Sequence, residues 1–502
     1  MTRGPLAAML GAVLAAALGG MAVPARAADD APAPCRVAGL RNEVLCGQVR
    51  RPLDPARPAG PQLDVHYVVV PAMARRKLPD PVFLLAGGPG QSAISLAGSV
   101  MPLFQRLNNR RDIVFVDQRG TGRSVPLACD DGPQNAQDGN AETTLADEAD
   151  PARQFARMAA CRERLAARAP LAAPADLGFF TTTLAMQDLD AVRARLGASR
   201  IDLVGASYGT RAALEYQRQF PDRLRRSVLD GVAPPDMVLP VSFSTDGQQA
   251  FDALLAACEA ETACTRAHPS LRADWKALLA GLPREVSAAH PLSGRIERFT
   301  LTREMVLGAV RGTLYAPWIA AALPTALHDA AQGRFEGLVG LGGLLTARKG
   351  MGLAMGMHFS VVCAEDVPRM AQASDPPGAD FGSTLGTLYA RVCADWPRGA
   401  VPEAFYRLSA SATPVLLLSG GLDPITPPRH ADRVARALGA QARSVVVPNA
   451  GHGVMGVGCA RDLIQRFIDA ADDAAALALD TSCLVAVPRP PAFVPLQPGA
   501  PK

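Results

Sequence analysis

Three side chains in this 502-residue sequence have the types, order and settings that nucleophilic catalysis needs: Ser207, Asp423 and His452. A serine hydroxyl is a weak nucleophile until a base takes its proton and a third group orients that base. Ser207 stands at the centre of Gly205-Ala206-Ser207-Tyr208-Gly209, between the apolar run Ile201-Asp202-Leu203-Val204 and a helical pattern over residues 210–216. A serine raised on a tight strand-to-helix turn holds a strained backbone. Side chains two residues before and after it would strike the neighbouring strand and helix, and Gly205 and Gly209 meet that demand. The chain has 45 glycines, so the five-residue pattern gains its meaning from the strand before it and the helix after it.

Acid and base are expected on loops after later strands, in the order serine, acid, histidine. The buried-strand pattern over residues 413–419 opens into Gly420-Gly421-Leu422-Asp423-Pro424-Ile425-Thr426, which makes Asp423 the acid. The next apolar run, residues 443–448, opens into Asn449-Ala450-Gly451-His452-Gly453, which makes His452 the base. Of the seven histidines, His66, His268, His290, His328 and His358 precede the acid, and His430 sits in a helix-like run. Charge that develops on a substrate oxygen needs two N–H donors. The main chain of Tyr208, directly after the serine, is one. Gly88, in Gly87-Gly88-Pro89-Gly90 after the strand pattern of residues 81–86, is the other.

Those segments, with Asp117-Gln118-Arg119-Gly120-Thr121-Gly122 between the first two, occur in an order that resembles the α/β-hydrolase serine exopeptidases of the prolyl aminopeptidase and tripeptidyl aminopeptidase type. Cys363-Ala364-Glu365-Asp366 and Cys393-Ala394-Asp395-Trp396-Pro397 are similar to the C-terminal region of the secreted tripeptidyl branch. The resemblance extends over residues 35–483 or so. It implies a Ser207, Asp423, His452 triad, an oxyanion hole at Gly88 and Tyr208, peptide substrates and no cofactor. Ala86 stands where prolyl aminopeptidases carry histidine, which shifts weight to the tripeptidyl branch.

The expected fold is therefore α/β, an α/β-hydrolase core with a large, mainly helical cap. Residues 28–232 form the first part of the core, with strand patterns at 49–52, 63–70 and 111–117 and an alanine-rich insertion at about 126–175. The gap from the strand at 226–232 to residue 413 is far longer than one crossover needs. A cap is therefore expected over residues 233–410, with helical patterns at 247–259, 271–282, 303–314 and 318–332. Residues 411–485 complete the core, ending in an amphipathic helix at 461–477, and 486–502 are expected to form a Pro-rich, extended and poorly ordered tail. Arg119 and Asp188 are expected to serve structure.

Residues 1–27 have an early Arg3, an apolar stretch and Ala25-Arg26-Ala27, the pattern of a cleaved secretory leader whose apolar part is short for a membrane span. All ten cysteines follow it, and an even number in an exported chain argues for disulfides. Connectivity does not follow from sequence. Pairing of near neighbours gives Cys35 with Cys46, Cys129 with Cys161, Cys258 with Cys264, Cys363 with Cys393, and Cys459 with Cys483. No C-x-x-C pair or zinc-spaced histidine calls for a metal. Loss of Arg3 and Arg26 with the leader lowers the formal charge from +4 to +2. No basic face asks for nucleic acid, and no stable membrane insertion is expected after cleavage. The expected location is exported, periplasmic or secreted.

An aminopeptidase must hold a cationic N-terminus. Glu365 and Asp366 are the carboxylates expected to face the pocket from the cap side. A triad does not separate amides from esters, so a carboxylesterase or lipase is the nearest alternative, and an idle binding protein on the same fold a remote one.

Overall fold

The computed structural model describes residues 31–129, 144–343 and 352–494. The leader pattern at 1–27, part of the alanine-rich insertion and residues 495–502 of the tail lie outside the described residues.

Eleven strands are present among the described residues: β1 (Ala33–Cys35), β2 (Val44–Pro52), β3 (Gln62–Val70), β4 (Val82–Leu85), β5 (Ile113–Val116), β6 (Ile201–Ala206), β7 (Leu224–Asp230), β8 (Arg284–Ala289), β9 (Ile296–Leu301), β10 (Val415–Gly420) and β11 (Ala442–Val447). Nine build one sheet in the order β1-β2-β3-β5-β4-β6-β7-β10-β11. The pairings from β1 through β3 to β5 are antiparallel. From β5 through β4, β6, β7 and β10 to β11 they are parallel.

Helices on both faces explain why the central strands read as unbroken apolar runs. Alternate residues serve opposite cores. Phe83, Leu85, Leu203, Leu229 and Leu417 pack on one side, and Val82, Leu84, Val204, Val228, Leu416 and Leu418 on the other. Each such side chain contributes about 1.5–3 kcal/mol through burial.

Between β7 and β10 lies a separate hydrophobic cluster in which Phe251, Trp275, Leu278, Val310, Leu323 and Leu327 meet. The helices Val241–Ala260, Leu271–Ala280, Arg303–Leu314 and Leu323–Ala331 supply most of it. An antiparallel hairpin, β8 with β9, joins them. The C-terminal helical pattern is two helices, Ala460–Asp469 and Asp473–Leu477, because Asp472 accepts the N–H of Ala475 and starts a new one. The described part of the tail is extended, and it is anchored. Phe493 donates its N–H to Ala321 O at 2.8 Å, and its carbonyl accepts from Thr325 Oγ1 at 2.8 Å.

Five disulfides join the five near-neighbour pairs: Cys35–Cys46, Cys129–Cys161, Cys258–Cys264, Cys363–Cys393 and Cys459–Cys483. No helix among the described residues is long and apolar enough to cross a membrane.

Candidate active site

Ser207 sits between β6 and the helix Tyr208–Gln219 with φ 55° and ψ −123°, a region that L-residues enter at a cost. Both glycines of the turn are required by close approach. A Cβ at Gly205 would stand 2.5 Å from Gly209 O, and one at Gly209 would collide with Leu85 O. The strand order places β4, β6 and β7 side by side, so the loops after β4 and β7 flank the serine.

The loop after β4 carries Gly87-Gly88-Pro89-Gly90. A Cβ at Gly87 would lie 3.2 Å from Ser207 Cβ, which brings this loop against the serine. Gly88 has φ 115°, and among the described residues neither its N–H nor that of Tyr208 is spent on another acceptor. Two free N–H groups beside a serine are the raw material of an oxyanion hole.

Asp423, in the loop after β10, is buried. Its Oδ2 accepts from His452 Nδ1 at 2.8 Å and from Thr426 Oγ1 at 2.8 Å, and its Oδ1 accepts from the N–H groups of Ile425 and Thr426 at 2.8 and 2.9 Å. Burial alone would raise the Asp423 carboxyl, but the charge and hydrogen bond of His452 and the two main-chain donors outweigh it and hold it below the usual range. His452 is shifted the other way. Burial pulls it down, and Asp423 more than reverses this, with Asp230 adding to the rise. With Nδ1 engaged by Asp423, Nε2 is the ring nitrogen left to exchange a proton. The His452 main-chain N–H is held by Tyr315 O at 2.9 Å, and the Tyr315 ring lies edge-on to the imidazole with centroids 5.0 Å apart.

Ser207 Oγ and His452 are not hydrogen-bonded to each other in the structure. Such contacts are often long before substrate arrives. The residue that brings the two segments together is Asp230, at the end of β7. Its carbonyl accepts Ser207 N–H at 2.8 Å, while its carboxylate accepts from Val454 and Met455 N–H at 2.9 Å, two and three residues past His452. A Cβ on the adjacent Gly231 would lie 3.3 Å from His452 Cε1.

Glu365 and Asp366 are not presented to a substrate amine. Both are buried at the end of the helix Met355–Glu365. Asp366 is paired with Arg211, its Oδ2 and Oδ1 accepting from Nη1 and Nη2 at 2.9 and 3.1 Å, and it also takes the N–H of Leu239 at 2.9 Å. Glu365 accepts from Thr182 N and Oγ1 at 2.7 and 2.9 Å, and Thr182 Oγ1 in turn receives the Tyr208 hydroxyl at 2.7 Å. The physical reason is Arg211. It lies four residues after Ser207 on a fully buried stretch of helix, and a buried guanidinium must be paired. Arg119 is likewise structural, with Nε and Nη2 on Asp188 at 2.7 and 2.9 Å.

Sequence reasoning also missed His358. It is buried and neutral, its pKa lowered by burial to about 4. Its Nδ1–H points to Pro89 O at 3.3 Å and its Nε2 accepts from the Tyr389 hydroxyl at 2.8 Å. Ala354 N–H also binds Gly90 O at 3.0 Å, so the segment from 354 to 358 backs the glycine loop beside Ser207.

A profile of the alpha/beta hydrolase fold matches residues 80–458, a stretch that contains every residue of the site just described. The chain belongs to the alpha/beta hydrolase family. Over 427 residues it is 24% identical to the serine protease Hip1 of Mycobacterium tuberculosis, spanning 78% of this chain and 80% of that protein. It is 31% identical over 204 residues to a tripeptidyl aminopeptidase of Streptomyces lividans, covering 39% of this chain and 36% of the relative. It is also 28% identical over 424 residues to carboxylesterase B of Mycobacterium tuberculosis, covering 79% and 78%.

Proposed function

We propose that this hydrolase is an exported serine exopeptidase that releases N-terminal residues, as tripeptides or proline-ending units, from peptides through an acyl-enzyme. The observation that carries the chemistry is a serine on a strained turn facing free N–H groups, with an Asp423–His452 pair at 2.8 Å on the adjoining loops. The peptide substrate is supported by relatives named serine protease and tripeptidyl aminopeptidase. Export is supported by the five disulfides together with the leader pattern.

Ser207 Oγ attacks the scissile carbonyl carbon while His452 Nε2 takes the hydroxyl proton. The carbonyl oxygen becomes an anion held by the N–H groups of Gly88 and Tyr208. Asp423 keeps the imidazole in the tautomer with Nδ1 protonated and stabilises its charged form. Collapse breaks the C–N bond, and the departing amine receives the proton from His452. Water, activated by the same histidine, then hydrolyses the ester on Ser207 and restores the enzyme.

Ester hydrolysis is the second possibility, favoured by the likeness to carboxylesterase B over most of both chains. Chromogenic substrates decide between them: a free Ala-Ala-Pro-type tripeptidyl amide, its N-blocked form, a prolyl amide and a short acyl ester, with Ser207→Ala as control. Cleavage of the free tripeptidyl amide and refusal of the blocked one is the expected result. Turnover of the ester alone overturns the peptidase assignment in favour of an esterase.

A further inference from the structure

The cap carries a cation beside the site with no partner among the described residues. Arg311 lies on the helix Arg303–Leu314, one turn before Tyr315, so the two share a helix face. Tyr315 is the residue whose carbonyl holds His452 N–H and whose ring lies against the imidazole. The stem of Arg311 passes over Gly247 of the helix Val241–Ala260, where a Cβ would stand 3.9 Å from Arg311 Cγ and 3.8 Å from the Phe381 ring. The guanidinium is close enough to act on the phenol of Tyr315 and also on that of Tyr389, favouring the ionised form of each against their burial. Tyr389 is hydrogen-bonded to His358, which backs the Gly87–Gly90 loop. Arg311 therefore stands on the Tyr315 side of the site, within electrostatic reach of both tyrosines.

Arg311 is half-buried, and no hydrogen bond or ion pair engages its side chain within the described structure. By contrast, Arg211 is ion-paired with Asp366, and Arg429 with Asp246 and Asp375. The carboxylates closest to the catalytic groups are spent as well, Asp423 on His452 and Asp230 on two main-chain donors. A half-buried guanidinium that lacks a protein partner gains most from an anion that arrives with the ligand.

We propose that Arg311 is an anion subsite that receives a carboxylate carried by the substrate, either an acidic side chain or the free C-terminus of a short peptide. This rests on the serine-hydrolase assignment of the site and sharpens it from peptides in general to peptides bearing a carboxylate near the scissile bond.

The test compares the purified wild type with Arg311→Gln and Arg311→Lys on matched substrate pairs. One pair is the glutaryl and pentanoyl esters of p-nitrophenol, alike in chain length and different in charge. A second is a tripeptidyl amide with Glu or Gln at one position, and a third is a tetrapeptide with a free or amidated C-terminus. Wild type is expected to prefer the charged member of at least one pair. Arg311→Gln should lower kcat/KM for that member by roughly 10- to 100-fold and shift the neutral member by less than about 3-fold, with Arg311→Lys in between.

A loss confined to the second pair assigns a side-chain carboxylate, and one confined to the third assigns the C-terminus. If the ester pair alone is turned over, the peptidase assignment fails while the charge preference is still read. If no substrate is turned over, the hydrolase assignment fails, and thermal-shift titration with glutarate decides: a shift in wild type lost in Arg311→Gln supports the subsite. Equal handling of charged and neutral members by wild type, equal losses on both in Arg311→Gln, or a glutarate shift absent or unaltered by the substitution overturns it.

Discussion

Ser207 donates its main-chain N–H to the carbonyl of Asp230 across 2.8 Å, and the carboxylate of the same aspartate holds the segment that follows His452. One residue at the end of β7 thus ties the Ser207 turn to the His452 loop. Asp423, in the loop after β10, accepts from His452 Nδ1, and Asp230 fixes where the histidine loop lies.

Asp230 should leave a mark on stability against pH. Burial raises its carboxyl to about 6, with the Val454 and Met455 donors opposing the rise. Its folded value is above its unfolded one, so its contribution is fully present below the unfolded value near 3.8 and is lost as pH climbs through about 6. Denaturant titrations at several pH values should show Asp230→Asn flattening the fall in stability over that window, by about 3 kcal/mol. An unchanged slope would show that Asp230 titrates alike in both states.

The histidine predicts a pH profile. His452 is held above its ordinary 6.5, since Asp423 outweighs the effect of burial. Catalysis needs it neutral, so kcat/KM should rise with pH and reach half its plateau above pH 6.5. Asp423→Asn removes the charge that raises it. The variant should lose about 10,000-fold in kcat and show its remaining acid limb at lower pH.

The Arg211 network predicts a structural phenotype. Arg211→Met leaves Asp366 buried beside Glu365 without its paired guanidinium and should cost about 3–5 kcal/mol by urea denaturation. Glu365→Gln should affect free-amine and N-blocked substrates alike. A KM increase restricted to free amines would return Glu365 to the amine-binding role that its burial denies it.

The His358 brace predicts a rate effect without a binding effect. Removing its ring frees Pro89 O and Tyr389 from one another and loosens the loop that offers Gly88. His358→Ala should lower kcat by roughly 10- to 100-fold with KM little changed, the signature of a donor displaced in the transition state. An increase in KM alone would place His358 in substrate binding instead.

The parts legible in the sequence were those set by local physics. The apolar runs of β4, β6, β10 and β11 and the glycines at 205 and 209 answer to burial and close approach within a few residues of themselves. The disulfides follow chain neighbours, which near-neighbour pairing anticipates. What escaped was decided across the fold. Glu365 and Asp366 look available until Arg211, over 150 residues earlier, is seen to claim them. An arginine four residues past Ser207, running into Ala212-Ala213-Leu214, was the signal for it. In the hairpin, only Val286 and Ala288 of β8 are buried, too few to announce a strand amid Arg284, Glu285 and Ser287. The Asp230-Gly231 pair was visible at the end of its strand, but its role depends on Val454 and Met455, which no local pattern connects to it.

The central claim is that Ser207 is a nucleophile activated by His452 and Asp423. Labelling the purified chain with a fluorophosphonate and locating the adduct by peptide mass spectrometry tests it most directly. One adduct is expected, on Ser207, absent from Ser207→Ala and slowed at least about 100-fold in His452→Ala. Absence of labelling in the folded wild type, or an adduct on another residue that persists in Ser207→Ala, would contradict it.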